Sequence, residues 1–214
     1  MTTEQDQTGT VTVVSGPTAV GKGTVCARLR ELRPDVWLSV SATTRTPRPG
    51  EVEGVHYYFV DDAEFDRLVD QGQMLEWATV HNAARYGTPR RPVAEAVAAG
   101  RHVILEIDLQ GARQVRQSWP GARFVFLEPP SWDELIRRLV GRGTEDEADR
   151  ARRLRTAKDE MAARSEFDHV VVNGEVEQAV AELVGLLGLP PHPPASGTSR
   201  GGLQDGVETT TPFS

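Results

Sequence analysis

The run Gly16-Pro17-Thr18-Ala19-Val20-Gly21-Lys22-Gly23-Thr24 sets a lysine behind two glycines, between a β-branched stretch and a segment of helical pattern. Glycines let a backbone wrap closely round phosphate oxygens, and N–H groups at a helix start point at them. A lysine there adds a point charge between the β and γ phosphates of a nucleoside triphosphate. The placement, strand then loop then helix, separates this run from an ordinary glycine-rich turn with a surface lysine. All nine residues are expected to line an ATP site, with Lys22 acting on the transferring phosphate. One position departs from the general pattern: Gly23 follows the lysine where serine or threonine is usual, and the hydroxyl falls one place later, on Thr24.

Arg45 and Arg48 lie three residues apart among prolines that hold the chain open. Together they make a fork able to clamp a second phosphate, although two arginines alone read equally well as a solvated face. Tyr57, Glu76 and Tyr86 are similarly ambiguous when taken singly. The tyrosines fit core or rim packing, and Glu76 beside Trp77 fits a surface carboxylate at a strand end.

These groups need a scaffold, and the pattern of the chain supplies one. Residues 10–15 (TVTVVS) read as a short strand feeding the loop, and residues 21–32 as a helix closed by Pro34. Strands are expected at 37–42 and 55–60, with the turn-rich stretch 43–54 irregular between them. A helix at 62–71, a strand at 74–80 and a helix at 93–99 follow. Residues 101–107 (RHVILEI) are nearly unbroken apolar sequence, the mark of a parallel strand covered on both faces, and 122–127 repeats this after a helix at 110–118. Pro129-Pro130-Ser131 caps a charged helical region, 132–165, interrupted at 141–144; a strand at 169–172 and a helix at 176–187 end the pattern. Strands alternating with helices predict an α/β fold with a parallel central sheet flanked by helices.

Composition bounds the class. The chain has 214 residues, room for one domain with insertions, and a net charge of −7 that argues against gripping nucleic-acid backbone with a basic face. No apolar run approaches a membrane span, and Met1 opens onto polar sequence, so no membrane partner and a cytoplasmic location are expected. Cys26 stands alone, which removes internal disulfides and cysteine-built zinc sites and favours a small buried hydrophobe. Residues 190–214 are rich in Pro, Gly, Ser and Thr and too poor in apolar groups to offset the entropy of ordering them. That tail and residues 1–9 are expected to be disordered, leaving a folded body at 10–189.

Taken in order, the landmarks resemble guanylate kinases, P-loop nucleoside monophosphate kinases: GPTAVGKGT, SVSATTRTPRPGEVEGVHYYF, LEWA from Leu75, YGT from Tyr86, ILEIDLQGA from Ile104, PPS from Pro129 and RRLVGRGTEDE from Arg137. The resemblance covers the whole folded body and implies a core at 10–40, 90–128 and 166–189, a GMP-binding insertion at 41–89 and a helical lid at 129–165. It implies GMP phosphate on Arg45, Arg48, Tyr57 and Tyr86, guanine among Ser41, Glu76, Thr88 and Asp108, lid arginines at Arg138, Arg142 and Arg153, and an adenine contact at Asn173. Asn173 before Gly174 is explained equally well as a turn residue.

The base assignment has independent chemical support. Guanine offers two donors, N1–H and the N2 amine, beside the O6 acceptor; an ionised carboxylate such as Glu76 accepts only, and a hydroxyl can serve O6. Adenine presents the opposite pattern. The activity implied is transfer of the γ-phosphoryl group of ATP to GMP, and by extension dGMP, with Mg²⁺ held by phosphates, waters and Asp108. A rival is a non-catalytic module of the same fold that binds phosphorylated protein partners at the GMP site. Such modules lose donor-site residues, whereas Lys22, Thr24, Arg138, Arg142 and Arg153 are all present.

Overall fold

A computed structural model describes residues 9–80, 84–140 and 147–191. Nearly all of both segments expected to be disordered, and Arg142, lie outside the described residues. In chain order the elements are β1 (Thr10–Ser15), α1 (Lys22–Leu32), β2 (Val36–Leu38), β3 (Ala42–Thr43), β4 (Tyr58–Phe59), α2 (Asp62–Asp70), β5 (Met74–Val80), β6 (Ala84–Pro89), α3 (Arg90–Ala98), β7 (His102–Glu106), α4 (Leu109–Ser118), β8 (Arg123–Glu128), α5 (Trp132–Val140), α6 (Glu147–Ala162), β9 (His169–Val172) and α7 (Val176–Leu186).

The central sheet runs β2-β7-β1-β8-β9 with every pairing parallel. Its inner strands are apolar on both faces because helices cover both. Val14, Ile104 and Val125 pack with Cys26 and Leu29 of α1 and Leu183 of α7, while Val13, Leu105 and Phe124 pack with Val93 of α3 and Val115 of α4. Cys26 is buried as expected, and burial pushes its thiol up, out of reach of thiolate chemistry.

A second sheet, β4-β3-β6-β5, carries the insertion, with β6 antiparallel to both its neighbours. The strand expected at 37–42 is split between two sheets: β2 stops at Leu38, and the chain crosses to β3 at Ala42. Of the strand expected at 55–60 only Tyr58–Phe59 forms, held by Tyr58 N donating to Ser41 O at 2.9 Å and Val60 N to Thr43 O at 3.0 Å. β6 (ARYGTP) is an additional strand: its glycine and proline give it weak local strand preference, and pairing on both sides overrides that.

This small sheet is fixed to the core through β5 and α4. Ser118 Oγ donates to Leu75 O at 2.7 Å, and Gln114 exchanges two hydrogen bonds with the Trp77 backbone at 2.8 and 3.1 Å. Both neighbours of Glu76 are thereby tied to the core. A register shift between Met74 and Glu76 sets Glu76 opposite Thr88, so that Met74, Leu75 and Glu76 are buried in succession where strict alternation would expose one. Helices α5 and α6 pack on each other through Leu135, Leu139 and Ala157, and Ala19 of the glycine-rich loop joins that cluster. Among the described residues no helix is long and apolar enough to cross a membrane.

Candidate active site

The loop expected to hold ATP leaves the carboxyl end of β1 at the centre of the parallel sheet, where open α/β folds place ligands. Its shape demands its glycines. A Cβ on Gly16 would lie 2.2 Å from Leu127 O, and Gly21, with φ of 98°, begins α1 in the left-handed region. Ala19 also has positive φ, 67°, which costs energy in a residue bearing a Cβ. Three side chains from beyond β8 hold this stretch. Glu160 Oε2 accepts from Thr18 N at 2.8 Å, Asn173 Nδ2 donates to Val20 O at 2.8 Å, and Arg138 Nη1 donates to the same oxygen at 3.1 Å.

Lys22 Nζ donates to Gly16 O at 2.7 Å and Pro17 O at 3.3 Å. Burial lowers its pKa, opposed by the fields of Glu160, Glu106 and Asp108. Gly23 sits in the first turn of α1 without positive φ, and a Cβ there would meet only Glu106 Oε1, at an ordinary 3.5 Å. Thr24 is exposed on the same turn. Among the described residues no three His, Cys, Asp or Glu side chains form a metal cage. This donor set suits a hard cation that keeps its waters and takes its remaining ligands from phosphate.

The second region is built from side chains on four separate elements. Glu76 on β5 is 7% exposed and Thr88 on β6 is 0% exposed; Thr88 Oγ1 donates to Glu76 Oε1 at 2.6 Å. Asp108 caps α4, its Oδ1 accepting from Gly111 N at 2.7 Å. A Cβ on Gly111 would lie 2.9 Å from Glu76 Oε2, so only glycine leaves that carboxylate its space. Desolvation pushes the Glu76 carboxyl up to about 7, with the Thr88 hydrogen bond opposing and the Asp108 charge reinforcing the shift. A buried acceptor with one oxygen engaged thus stands ready for a ligand offering adjacent donors. Asp108 is felt by both Glu76 and Lys22 and links the two regions.

Two residues before Thr88 on β6, Tyr86 Oη accepts from Arg45 Nε at 3.1 Å, and the Arg45 guanidinium lies 5.3 Å from the Tyr57 ring centroid. Tyr57 and Tyr86 meet edge to face at 5.9 Å. Glu51 closes Arg45 from the other side with two bonds, at 2.9 and 2.8 Å, and also accepts from Arg48 N at 2.7 Å. That pairing holds the Glu51 carboxyl down at about 2. Arg48 is exposed, and Ser41 precedes β3 beside this group.

The residues expected to act together therefore fall into two clusters. Arg138 and Asn173 join the loop, Arg153 lies on α6, and Arg142 is outside the described residues. Asn173 is only 3% exposed, with its amide group spent on the loop backbone. Sequence reading missed Glu51, Glu106, Gly111 and Glu160. Only Glu106, at the end of the apolar run that leads to Asp108, carried a usable signal; the partners of the others are set by tertiary packing.

A parallel sheet whose central strand feeds a glycine-shaped loop of phosphate-loop sequence and then a helix opening on Lys22 defines a P-loop protein. The family described as guanylate kinase matches residues 8–188. Guanylate kinases from Leifsonia xyli and Thermobifida fusca are 65% and 59% identical, over 85% and 86% of this chain and 71% and 94% of theirs. The crystal structure of guanylate kinase from Anaplasma phagocytophilum superposes with a TM-score of 0.66 at 35% identity, covering 84% of this chain and 85% of that one. The chain belongs to the guanylate kinase family.

Proposed function

We infer that the protein transfers the γ-phosphoryl group of ATP to GMP, giving ADP and GDP, in purine nucleotide metabolism. The observation that carries the base assignment is the buried Glu76–Thr88 pair, joined at 2.6 Å. Ionised, Glu76 accepts from guanine N1–H and the N2 amine, held for this by the one Thr88 O–H, while the Ser41 hydroxyl serves O6 and Asp108 adds an acceptor. Arg45, Arg48, Tyr57 and Tyr86 take the GMP phosphate. The loop from Gly16 to Thr24 cradles ATP, Asn173 shapes its wall, and Lys22 exchanges its two carbonyl contacts for phosphate oxygens.

Bound with ATP, Mg²⁺ would supply charge neutralisation for the phosphates, and Asp108 with Glu106 are the residues that would face it through water. Because a phosphate monoester is largely dianionic near neutral pH, its oxygen attacks the γ-phosphorus in line without a general base. What the chain contributes is position and compensating charge from Lys22, Arg45, Arg138, Arg142 and Arg153, together with exclusion of water by the 129–165 segment over ATP.

The test is ADP release measured with GMP, dGMP, AMP, UMP and CMP as acceptors. GMP should be strongly preferred and dGMP used; turnover of AMP comparable with GMP contradicts the assignment.

A further inference from the structure

Glu160 belongs to none of the motifs above, yet it makes the one side-chain contact that the described residues give to the Thr18 backbone N–H. It lies on α6, 142 residues further along the chain, and its carboxylate crosses to the loop at 2.8 Å. The next residue, Ala19, holds φ of 67°, and its side chain packs against Leu135, Leu139 and Ala157 of α5 and α6. A residue bearing a Cβ stays in that region only where its surroundings over-determine it. Val20 is then fixed by Asn173 and Arg138 through its carbonyl. Three successive loop residues are thus held in turn by a carboxylate, an apolar cluster and an amide–guanidinium pair, all from beyond β8.

We propose that Glu160 is a positioning residue for the ATP site: by accepting from Thr18 N–H it anchors the front of the phosphate loop to α6 and keeps Ala19 in the strained geometry that shapes the loop. The inference rests on the assignment of this loop to ATP. The bond uses a backbone donor at the start of the run, upstream of the N–H groups that open α1, so Glu160 holds the cradle without filling it. Its length matters, since the carboxylate reaches the loop from a helix that the Leu135–Leu139–Ala157 cluster already holds against Ala19 of the same loop.

Glu160→Ala, Glu160→Asp and Glu160→Gln distinguish anchoring from general damage, with ATP KM, GMP KM and calorimetric ADP affinity read together. Losing one charge-assisted hydrogen bond in this setting should raise ATP KM and weaken ADP about tenfold or more in Ala, while GMP KM stays within about twofold. Asp, one methylene too short, should behave like Ala. Gln keeps an acceptor of the same reach and should return ATP KM to within about threefold of wild type. Should Ala fail to fold, as read by melting temperature, the Asp and Gln pair still decides. The proposal is overturned if Asp matches wild type, if Gln is as poor as Asp, if GMP KM rises in parallel with ATP KM, or if the variants bind ADP more tightly. Failure of wild type itself to bind ADP would instead remove the ATP assignment on which the inference stands.

Discussion

The two halves of the site are made from different material. The donor loop presents main-chain groups in a continuous stretch, and its geometry is stored in φ angles at Ala19 and Gly21 and a close approach at Gly16. The acceptor pocket is made of side chains: Glu76 on β5, Thr88 on β6, Asp108 at the cap of α4, and Arg45 after β3. A backbone site needs residues that permit an unusual path and others that hold it there. A side-chain site needs strands brought to the right register, and here a bulge does so by turning Glu76 inward against Thr88. Damage should divide accordingly: changes at the loop fall on ATP and turnover, changes at the pocket on GMP.

The largest expected effect is on the loop side. Lys22→Ala should lower kcat by about 3 kcal/mol equivalent, the scale for removing one preorganised group from a transferring phosphate. GMP affinity by calorimetry should stay near wild type, because Lys22 touches the loop carbonyls and not the pocket. Loss of GMP binding in this variant would break the division.

Of comparable size, Glu76→Gln should reduce kcat/KM for GMP by about 2 to 4 kcal/mol equivalent, since an amide donor would face a guanine donor in a desolvated site. The gap between GMP and AMP should narrow through loss of GMP rather than gain of AMP. Gly111→Ala probes the same pocket more gently. Its Cβ would stand 2.9 Å from Glu76 Oε2, and GMP KM should rise by the equivalent of about 1 to 2 kcal/mol with ATP KM unmoved.

The smallest effect is expected at Gly23→Ser. The backbone there is helical and the new Cβ meets only Glu106 at 3.5 Å, so melting temperature and turnover should stay close to wild type. A hydroxyl restored beside Glu106 should lower the magnesium needed for half-maximal turnover. A large rise in that requirement, read by magnesium titration, would contradict a water-mediated role for this face of the loop.

The same contrast explains what the sequence made legible. The donor loop could be read from nine consecutive residues because strand, turn and helix start are neighbours in the chain, and β1 and β9 match the expected strands. The acceptor region was read through family resemblance, since β3 and β4 are two residues each, too short for a periodicity to show. β6 was hidden by a glycine and a proline that pairing on both sides tolerates. Glu51 and Glu160 could not be found at all. Their partners, the Arg45 guanidinium and the Thr18 N–H, are specified by loop folding and helix packing rather than by spacing.

If Glu76 reads guanine, its buried carboxyl must become ionised on binding. Its folded pKa of about 7 lies above the ordinary 4.5, so in the ligand-free protein its contribution to stability is complete below about pH 4.5 and is lost as pH rises through 7. GMP affinity should run the other way, rising toward neutral pH as ionisation ceases to oppose binding. The most direct measurement is therefore GMP calorimetry at about pH 6.5 in two buffers of different ionisation enthalpy, on wild type and Glu76→Gln. Both share any proton released by the GMP phosphate, and wild type should release roughly three-quarters of a proton more. Equal proton release from the two proteins would contradict the account, because the carboxyl would then be in the same state with and without guanine.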